Sequence, residues 1–324
     1  MINTRLLDSD HGLPFMIEYE SSDRPPEKTF LSSWLKENEQ YIDQKLLEHG
    51  AVLFRGFNIN TPSAFSRFTR SVTPGLMDCL DDNGPRMKLT PGIYTSTEYP
   101  PEYQLSMHSE YAYSHKFPAK LFFCCVVEPG SGGQTPIADN RKILKKLDPG
   151  IVEEFKHKQV SYLRNLHGGN GFGLSWQATF QTTDRSAVEK YCRDMSVDIE
   201  WKADGGLRLR HTFSAVITHP RTGEQVWFNQ APQFHPSDYP TEIYESLLNS
   251  YQGREAEFPQ NACFGDDSPI TASALGHIRK TMFEQAAVFP WREGDVMILD
   301  NVLSCHGRMP FSGQRKILLA MSEK

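Results

Sequence analysis

Two segments that lie far apart in the chain carry residues able to bind one metal ion together. His108 and Glu110 are separated by a single residue, and His306 lies close to the C-terminal end. On a β-strand, residues i and i+2 point to the same face, so we expect the imidazole and the carboxylate to converge on one ion. A third ligand from a remote strand would complete a 2-His-1-carboxylate triad. Such a triad leaves one face of the metal open, which suits Fe(II) with a bidentate co-substrate and dioxygen.

The His-x-Glu tripeptide alone does not establish a metal site, because the chain contains eleven histidines. The alternative is a histidine on an edge strand beside a solvated glutamate. A cysteine nucleophile formed by Cys305 and His306 is a further alternative. Adjacent residues of a strand point to opposite faces, so this pairing is disfavoured.

The elements that would position these residues are short strands and a few helices. Apolar periodicity supports a mixed α and β fold and does not by itself define the topology. Residues 74–106 and the glycine-rich residues 165–175 are expected to be loops. Helices are predicted at 33–49, from 61 onwards, at 143–157 with a break at 148–150, and at 183–192, 239–251 and 272–287. Strands are predicted at 51–57, 121–127, 207–218, 225–229, 296–299 and 317–321.

Composition excludes several classes of protein. The 324 residues carry a net charge of −6, which argues against nucleic acid or an anionic membrane as the main partner. No apolar run reaches the length of a membrane span, and the first residues lack the apolar core of a signal peptide. The six cysteines show no CxxC pair, so we expect a reduced, cytoplasmic protein.

Several motifs accompany the candidate ligands in a fixed order, over about residues 50 to 322. They are Arg55-Gly56-Phe57, Tyr94-Thr95-Ser96-Thr97-Glu98-Tyr99, Phe117-Pro118-Ala119-Lys120, Gly132-Gly133-Gln134-Thr135, and Gly294-Asp295 followed by Asp300-Asn301, His306 and Arg315. This ordered set resembles the TauD/TfdA family of Fe(II)/2-oxoglutarate-dependent oxygenases. Within the family the likeness is to the clavaminate-synthase-like and SyrP-like branch, whose members often modify amino acids in natural-product pathways.

The resemblance implies a fold and a site. The fold is mixed α+β, mainly β, with a double-stranded β-helix (jelly roll) core surrounded by helices. A single domain would span residues 1–324, with residues 1–30 as an N-terminal extension and about 160–205 as an insert or lid. His108, Glu110 and His306 would bind Fe(II).

The resemblance also implies a site for 2-oxoglutarate. Arg315 would grip the distal carboxylate of this co-substrate through a planar, bidentate contact. Thr135 would donate a hydroxyl to the same group, or would simply be a turn threonine. Arg308 is the alternative for the arginine, and it could also be a structural residue that pairs with a backbone carbonyl.

The implied reaction couples conversion of 2-oxoglutarate and dioxygen into succinate and carbon dioxide to hydroxylation of an unactivated C–H bond. Related halogenases carry a small residue in place of the carboxylate, so Glu110 favours hydroxylation. The expected substrate is an amino acid or an amino-acid-derived molecule, free or bound to a carrier protein. Candidate substrate contacts are Arg86, Tyr94, Glu98, Asn229 and Arg308.

Two other functions fit the same residue types. One is a non-catalytic jelly-roll binding protein that kept the fold. The other is a JmjC-like protein hydroxylase, which shares the His-x-Glu…His pattern. That class usually holds the co-substrate with a lysine on another strand, so Arg315 speaks against it.

Overall fold

A computed structural model describes residues 1–20, 28–78 and 86–323, and within these ranges the chain forms strands and helices of modest length. The strands are β1 (Ile2–Leu6), β2 (Phe15–Tyr19), β3 (Ala51–Arg55), β4 (Lys88–Thr90), β5 (Ile93–Thr95), β6 (Leu105–His108), β7 (Lys120–Val127), β8 (Ser131–Gly132), β9 (Ile137–Asp139), β10 (Val160–Leu166), β11 (Asp198–Trp201), β12 (Leu207–Phe213), β13 (Val216–Thr218), β14 (Gln225–Trp227), β15 (Gln260–Phe264), β16 (Ala286–Ala287), β17 (Val296–Asp300), β18 (Ser304–Arg308), β19 (Phe311–Ser312) and β20 (Lys316–Met321). The helices are α1 (Lys28–Glu37), α2 (Glu39–His49), α3 (Pro62–Val72), α4 (Asn140–Lys146), α5 (Pro149–Lys158), α6 (Trp176–Phe180), α7 (Arg185–Asp194), α8 (Ala231–Phe234), α9 (Thr241–Ser250) and α10 (Ala272–Glu284).

The strands assemble into sheets of unequal size, so the fold is mixed α and β and consists mainly of sheets. An eight-stranded sheet runs in the order β1-β2-β3-β17-β7-β20-β5-β4, and a four-stranded sheet runs β16-β9-β18-β6. A second four-stranded sheet has the order β11-β12-β10-β15, and two pairs, β13-β14 and β19-β8, complete the set. Neighbouring strands are antiparallel except for β2 and β3, which are parallel.

The central strand β7 explains how the eight-stranded sheet is buried on both faces. Its side chains alternate: Phe123 packs in an apolar cluster with residues of the β16-β9-β18-β6 sheet, and Phe122 packs in a second cluster with α1, α2 and α3. A strand buried on both faces reads as a continuous apolar run, as the sequence of β7 does. The eight-stranded sheet and the β16-β9-β18-β6 sheet therefore share one core, and α1, α2 and α3 cover the other face of the eight-stranded sheet.

Several local predictions are confirmed because their signals are local. Gly50 ends α2 in the left-handed conformation, with φ 73° and its N–H donating to Leu46 O. Thr61 caps α3 by accepting from the N–H of Ala64, and Pro62 opens that helix. The helix break at 148–150 is also present, since Asp148 caps α5.

Other predictions are wrong in their boundaries. The single helix at 33–49 is two helices, because the chain leaves the helix at Asn38, whose side chain donates to Trp34 O. The predicted strand at 207–218 is two strands, β12 and β13. The expected loop at 74–106 contains β4 and β5, although residues 79–85 of it lie outside the described residues.

The N-terminal residues contribute more structure than their polar composition indicates. β1 and β2 pair with each other, and β2 joins the large sheet beside β3. Three of the five residues of β1 are exposed, so the strand shows no apolar run. Residues 21–27 lie outside the described part of the chain.

Candidate active site

The two candidate histidine ligands lie directly opposite each other on neighbouring strands. β18 and β6 are antiparallel, and His306 pairs in register with His108. Side chains of directly opposed residues lie on the same face of the sheet. The two imidazole centroids are accordingly 4.5 Å apart, and both side chains are buried.

Glu110 reaches the same place by a route that the sequence does not predict. β6 ends at His108, and Glu110 lies in the turn that follows. The prediction that both ligands lie on one strand is therefore wrong. The turn has a long-range cause, since the Glu110 N–H donates to Asn301 Oδ1 at 2.8 Å and Asn301 Nδ2 donates to Glu110 O at 2.9 Å.

Three donor atoms converge in this arrangement. Glu110 Oε2 lies 3.7 Å from His108 Nε2 and 3.6 Å from His306 Nε2, and the three atoms lie within 4.8 Å of one another. Within the described ranges, the buried Oε2 has no hydrogen-bond partner. Two imidazole nitrogens and one carboxylate oxygen are a donor set that suits Fe(II). A bound cation would also satisfy the orphaned oxygen, so these residues fit the metal.

The protonation of the cluster is compatible with metal binding. His108 Nδ1 lies 2.8 Å from Ser106 O, which can only accept, so Nδ1 donates to this carbonyl and Nε2 is the nitrogen that faces Glu110. Burial, with the neighbouring His108, lowers the pKa of His306 to about 3. Burial alone would raise the pKa of Glu110, but Arg86 and the two histidines outweigh it and hold that pKa well below its usual value.

Arg86 is in direct contact with the candidate ligand carboxylate. Its NH2 group donates to Glu110 Oε1 at 2.9 Å, and each side chain is only 6% exposed. One carboxylate oxygen is therefore bound to a guanidinium and the other faces the imidazoles. The sequence could not have paired residues 86 and 110, because no local pattern links an arginine in a loop to a ligand that follows three intervening strands.

A pocket opens onto the three donor atoms. Apolar walls come from Leu105, Phe123 and Leu319. The remaining lining residues are Arg86, Ser96, Thr97, His108, Glu110, Thr135, His306, Gly307, Arg308 and Arg315. The pocket is therefore a mixed one, with apolar side chains beside the metal ligands and arginines around them.

The two predicted co-substrate residues are neighbours in this pocket. Arg315 Nε donates to Gly133 O at 2.9 Å, and its NH2 lies 3.5 Å from Thr135 Oγ1. Thr135 Oγ1 also accepts from the indole N–H of Trp291 at 3.0 Å. Burial, with Arg308 nearby, lowers the pKa of Arg315 to about 10, so the guanidinium stays charged at neutral pH. No carboxylate of the described residues pairs with it, and it can therefore take an anion.

Arg308 also lines the pocket, but its guanidinium is engaged elsewhere. It donates to the main-chain oxygens of Tyr99, Pro100 and Tyr103 at 2.7–2.8 Å. Strand β18 thus carries His306 before Gly307 and Arg308 after it. Arg308 holds the chain at residues 99–103 in place through these hydrogen bonds. Pairing with backbone carbonyls is the structural role that was the alternative for Arg308.

The other candidate substrate contacts do not belong to the pocket lining. Tyr94 OH donates to Asp78 Oδ1, and Glu98 is exposed on the surface. Asn229 is buried with its amide bound to the main chain, to Ala215 O and to the N–H of Ala231.

Two residues of the site were not predicted. Asn301 holds the main chain of Glu110, and Trp291 holds the hydroxyl of Thr135. Asn301 could have been singled out, since it belongs to the Asp300-Asn301 pair in the motif before His306. Trp291 has no such signal, because its partner lies 156 residues away in the chain.

A protein-family model covers most of the chain. The family model described as "Taurine catabolism dioxygenase TauD, TfdA family" matches residues 23–321. The chain belongs to the TauD/TfdA family. It is therefore an Fe(II)/2-oxoglutarate-dependent oxygenase, and its cofactor and co-substrate are Fe(II) and 2-oxoglutarate.

Individual relatives agree with this membership. The chain is 40% identical over 280 residues to the dapdiamide synthesis protein DdaC of Enterobacter agglomerans, covering 86% of this chain and 84% of that protein. It is 29% identical over 298 residues to a clavaminate synthase-like protein of Arabidopsis thaliana, covering 89% of this chain and 86% of the relative.

Among solved structures, PvcB of Pseudomonas aeruginosa, an Fe, alpha-ketoglutarate dependent oxygenase from an isonitrile synthetic pathway, has a TM-score of 0.56 at 15% identity. The superposition covers 99% of this chain and 91% of PvcB and supports the fold. Across the described ranges, every helix is too short or too polar to cross a bilayer.

Proposed function

We propose that His108, Glu110 and His306 bind Fe(II), and that the enzyme hydroxylates an unactivated C–H bond of an amino acid or an amino-acid-derived substrate. The observation that carries the metal assignment is Glu110 Oε2, a buried carboxylate oxygen without a partner among the described residues. It lies within 3.7 Å of both imidazole Nε2 atoms. A buried carboxylate oxygen without a partner is costly, so a cation is the natural partner of this oxygen.

We also propose that Arg315 and Thr135 bind the distal carboxylate of 2-oxoglutarate. Thr135 Oγ1 accepts from the indole of Trp291 and is within reach of a second N–H from Arg315. A hydroxyl that accepts from other donors can still donate its own hydrogen, which is then available to a carboxylate in the pocket. The guanidinium adds a charge-assisted contact to the same group.

The protein's own contribution is to orient and shield the reacting groups. When bound, iron, 2-oxoglutarate and dioxygen supply an oxidant able to break an unactivated C–H bond, while 2-oxoglutarate becomes succinate and carbon dioxide. Arg86 holds Glu110 Oε1, so Oε2 is the oxygen that faces the imidazoles. Leu105 and Phe123 place apolar walls beside the ligands, and such walls would shield a reactive centre from side reactions with water.

Charge in the pocket favours an amino acid as the substrate. The described lining residues include three arginines and one acid, Glu110, and a ferrous ion with doubly charged 2-oxoglutarate adds no net charge. A substrate carboxylate would therefore be attracted, and Arg86 is our candidate for its contact.

The names of DdaC and PvcB refer to dapdiamide synthesis and an isonitrile synthetic pathway, which supports a role in natural-product biosynthesis. The substrate is presented free or on a carrier protein, and a screen of both forms distinguishes the two.

The architecture that we infer for this function is a double-stranded β-helix. It would form one domain over residues 1–324, with residues 1–30 as an extension and about 160–205 as an insert or lid. The shared apolar core between the eight-stranded sheet and the sheet that carries the histidines supports this architecture. We place the enzyme in the cytoplasm, without nucleic acid or membrane as a partner.

Succinate release from 2-oxoglutarate tests the metal assignment. His108→Ala and Glu110→Ala should each abolish it, because each removes one of three metal ligands. The matched control is His157→Ala, which removes an exposed histidine and should leave release unchanged. Undiminished release from either ligand variant would rule out the assignment.

The substrate can be sought with the same preparation. Anaerobic protein loaded with Fe(II) and 2-oxoglutarate is mixed with amino acids and with aminoacyl carrier proteins, and the charge-transfer absorption band is followed. A substrate that binds beside the metal should perturb the band. Perturbation by a carrier-bound aminoacyl group alone would favour the carrier-bound form.

A further inference from the structure

The chain around Glu110 adopts a conformation that it would not hold by itself. β6 has already ended at His108, and the residue after Glu110, Tyr111, has a φ of 54°. This left-handed region is unfavourable for a residue with a bulky side chain. Contacts from outside the segment must therefore keep Glu110 in place.

Asn301 supplies these contacts. Its side chain is fully buried, with 0% exposure. Its Oδ1 accepts from the Glu110 N–H at 2.8 Å, and its Nδ2 donates to Glu110 O at 2.9 Å and to Pro118 O at 3.0 Å. One amide thus binds both main-chain polar groups of the candidate ligand residue, which fixes the direction in which the carboxylate leaves the backbone.

Asn301 is itself held rigidly and is close in sequence to another candidate ligand. It follows directly after β17, and its N–H donates to Ala119 O at 3.0 Å. The connection that begins at Asn301 leads into β18, which carries His306. A single short segment therefore contributes one imidazole to the site and the amide that orients the carboxylate.

We propose that Asn301 is a positioning residue that holds Glu110 in its metal-binding orientation before the metal arrives. This inference rests on the proposed role of Glu110 as a ligand. Residues that orient metal ligands typically change metal affinity by roughly 10–100-fold when they are removed. Loss of the Asn301 amide should act in this range, because Glu110 then has to be ordered by the metal itself.

Asn140 provides a matched control in the same region. It is also 0% exposed, and its Nδ2 donates to Ser109 Oγ at 3.0 Å and to Val302 O at 2.9 Å. It therefore ties together the same two segments of chain. Within the described residues, neither of these side-chain contacts involves Glu110.

The experiment is a Co(II) titration of the metal-free wild-type protein, Asn301→Ala and Asn140→Ala, with thermal unfolding of each metal-free protein measured in parallel. Asn301→Ala should raise the Kd for Co(II) by roughly 10–100-fold and alter the visible Co(II) absorption. Asn140→Ala should raise the Kd by less than about tenfold, the lower limit for a ligand-orienting partner. Both variants should lower the melting temperature, since each leaves buried polar groups unpaired.

Two results would overturn the inference: wild-type Co(II) affinity in Asn301→Ala, or an equal loss of affinity in Asn140→Ala. If Asn301→Ala does not fold, Asn301→Ser replaces it under the same criteria, because the shorter serine side chain removes the two-point amide contact with the Glu110 main chain. Failure of the wild-type protein to bind Co(II) would instead overturn the metal assignment, and this inference with it. Tight wild-type binding with no effect at Asn301 would overturn this inference alone.

Discussion

Replacing Arg315 by glutamine should weaken binding of 2-oxoglutarate about 100-fold. Arg315 has no carboxylate partner among the described residues, and it lies beside Thr135 at the edge of the pocket. Breaking a buried charge pair by removing one partner costs about 3–5 kcal/mol. Because Arg315 is only half-buried, the lower value of about 3 kcal/mol applies, and about 1.4 kcal/mol corresponds to a factor of ten in Kd.

The assay is an anaerobic titration of the Fe(II)-loaded protein with 2-oxoglutarate, followed through the charge-transfer band. Lys316→Gln is the control, because it removes the same charge from the exposed neighbouring residue and should not change the Kd. Thr135→Val should cost about 1 kcal/mol, the value of one hydrogen bond. If both residues hold the same carboxylate, the double variant should lose less than the sum of the two single effects.

Two results would refute this reasoning. Wild-type affinity in Arg315→Gln would remove Arg315 from the site. A large loss in Arg308→Gln together with a small loss in Arg315→Gln would transfer the role to Arg308, the alternative that the sequence left open.

Three further predictions concern stability and metal binding. Arg55→Met should destabilise the fold by about 3–5 kcal/mol in chemical unfolding, because it leaves the buried Asp295 carboxylate without the guanidinium that contacts it at 2.6 Å. A change below about 1 kcal/mol would contradict this expectation. Gly132→Ala should lower both the melting temperature and the affinity for 2-oxoglutarate, since φ is +68° and a Cβ would clash with the Pro310 carbonyl; an unchanged affinity would show that the β8–β19 pair does not position Arg315. Co(II) at about 100 times its Kd should stabilise the protein by about 2.7 kcal/mol, and the gain should vanish in His306→Ala; persistence of the gain would place the ion elsewhere.

The predictions that the structure confirms are those with local causes. The cap at Thr61 and the helix end at Gly50 follow from the chemistry of one or two residues. β7 was found because a strand buried on both faces is apolar at every position. Such signals are independent of what the rest of the chain does.

The predictions that fail depend on distant partners. Glu110 was assigned to the strand of His108, whereas the chain turns there because Asn301, 191 residues away, binds its main chain. β1 was missed because an exposed strand carries a polar pattern, and it becomes a strand only through its pairing with β2. Neither cause is visible in a local window of sequence.

The residues of the site also fall into two groups, those that the sequence could identify and those whose contacts depend on distant parts of the chain. His108, Glu110 and His306 could be selected from residue type and order, and the structure brings their donor atoms within 4.8 Å of one another. The contact between Arg86 and Glu110 could not be selected, because it depends on how a loop folds back over the ligand. Substrate contacts are the least predictable, since they depend on the shape of the pocket more than on any spacing.

Anomalous diffraction at the iron absorption edge, from crystals grown without oxygen in the presence of Fe(II) and 2-oxoglutarate, tests the central claim most directly. We predict one iron peak within bonding distance of His108 Nε2, Glu110 Oε2 and His306 Nε2. An iron peak elsewhere, or one that leaves any of these three atoms out of bonding distance, would contradict the account.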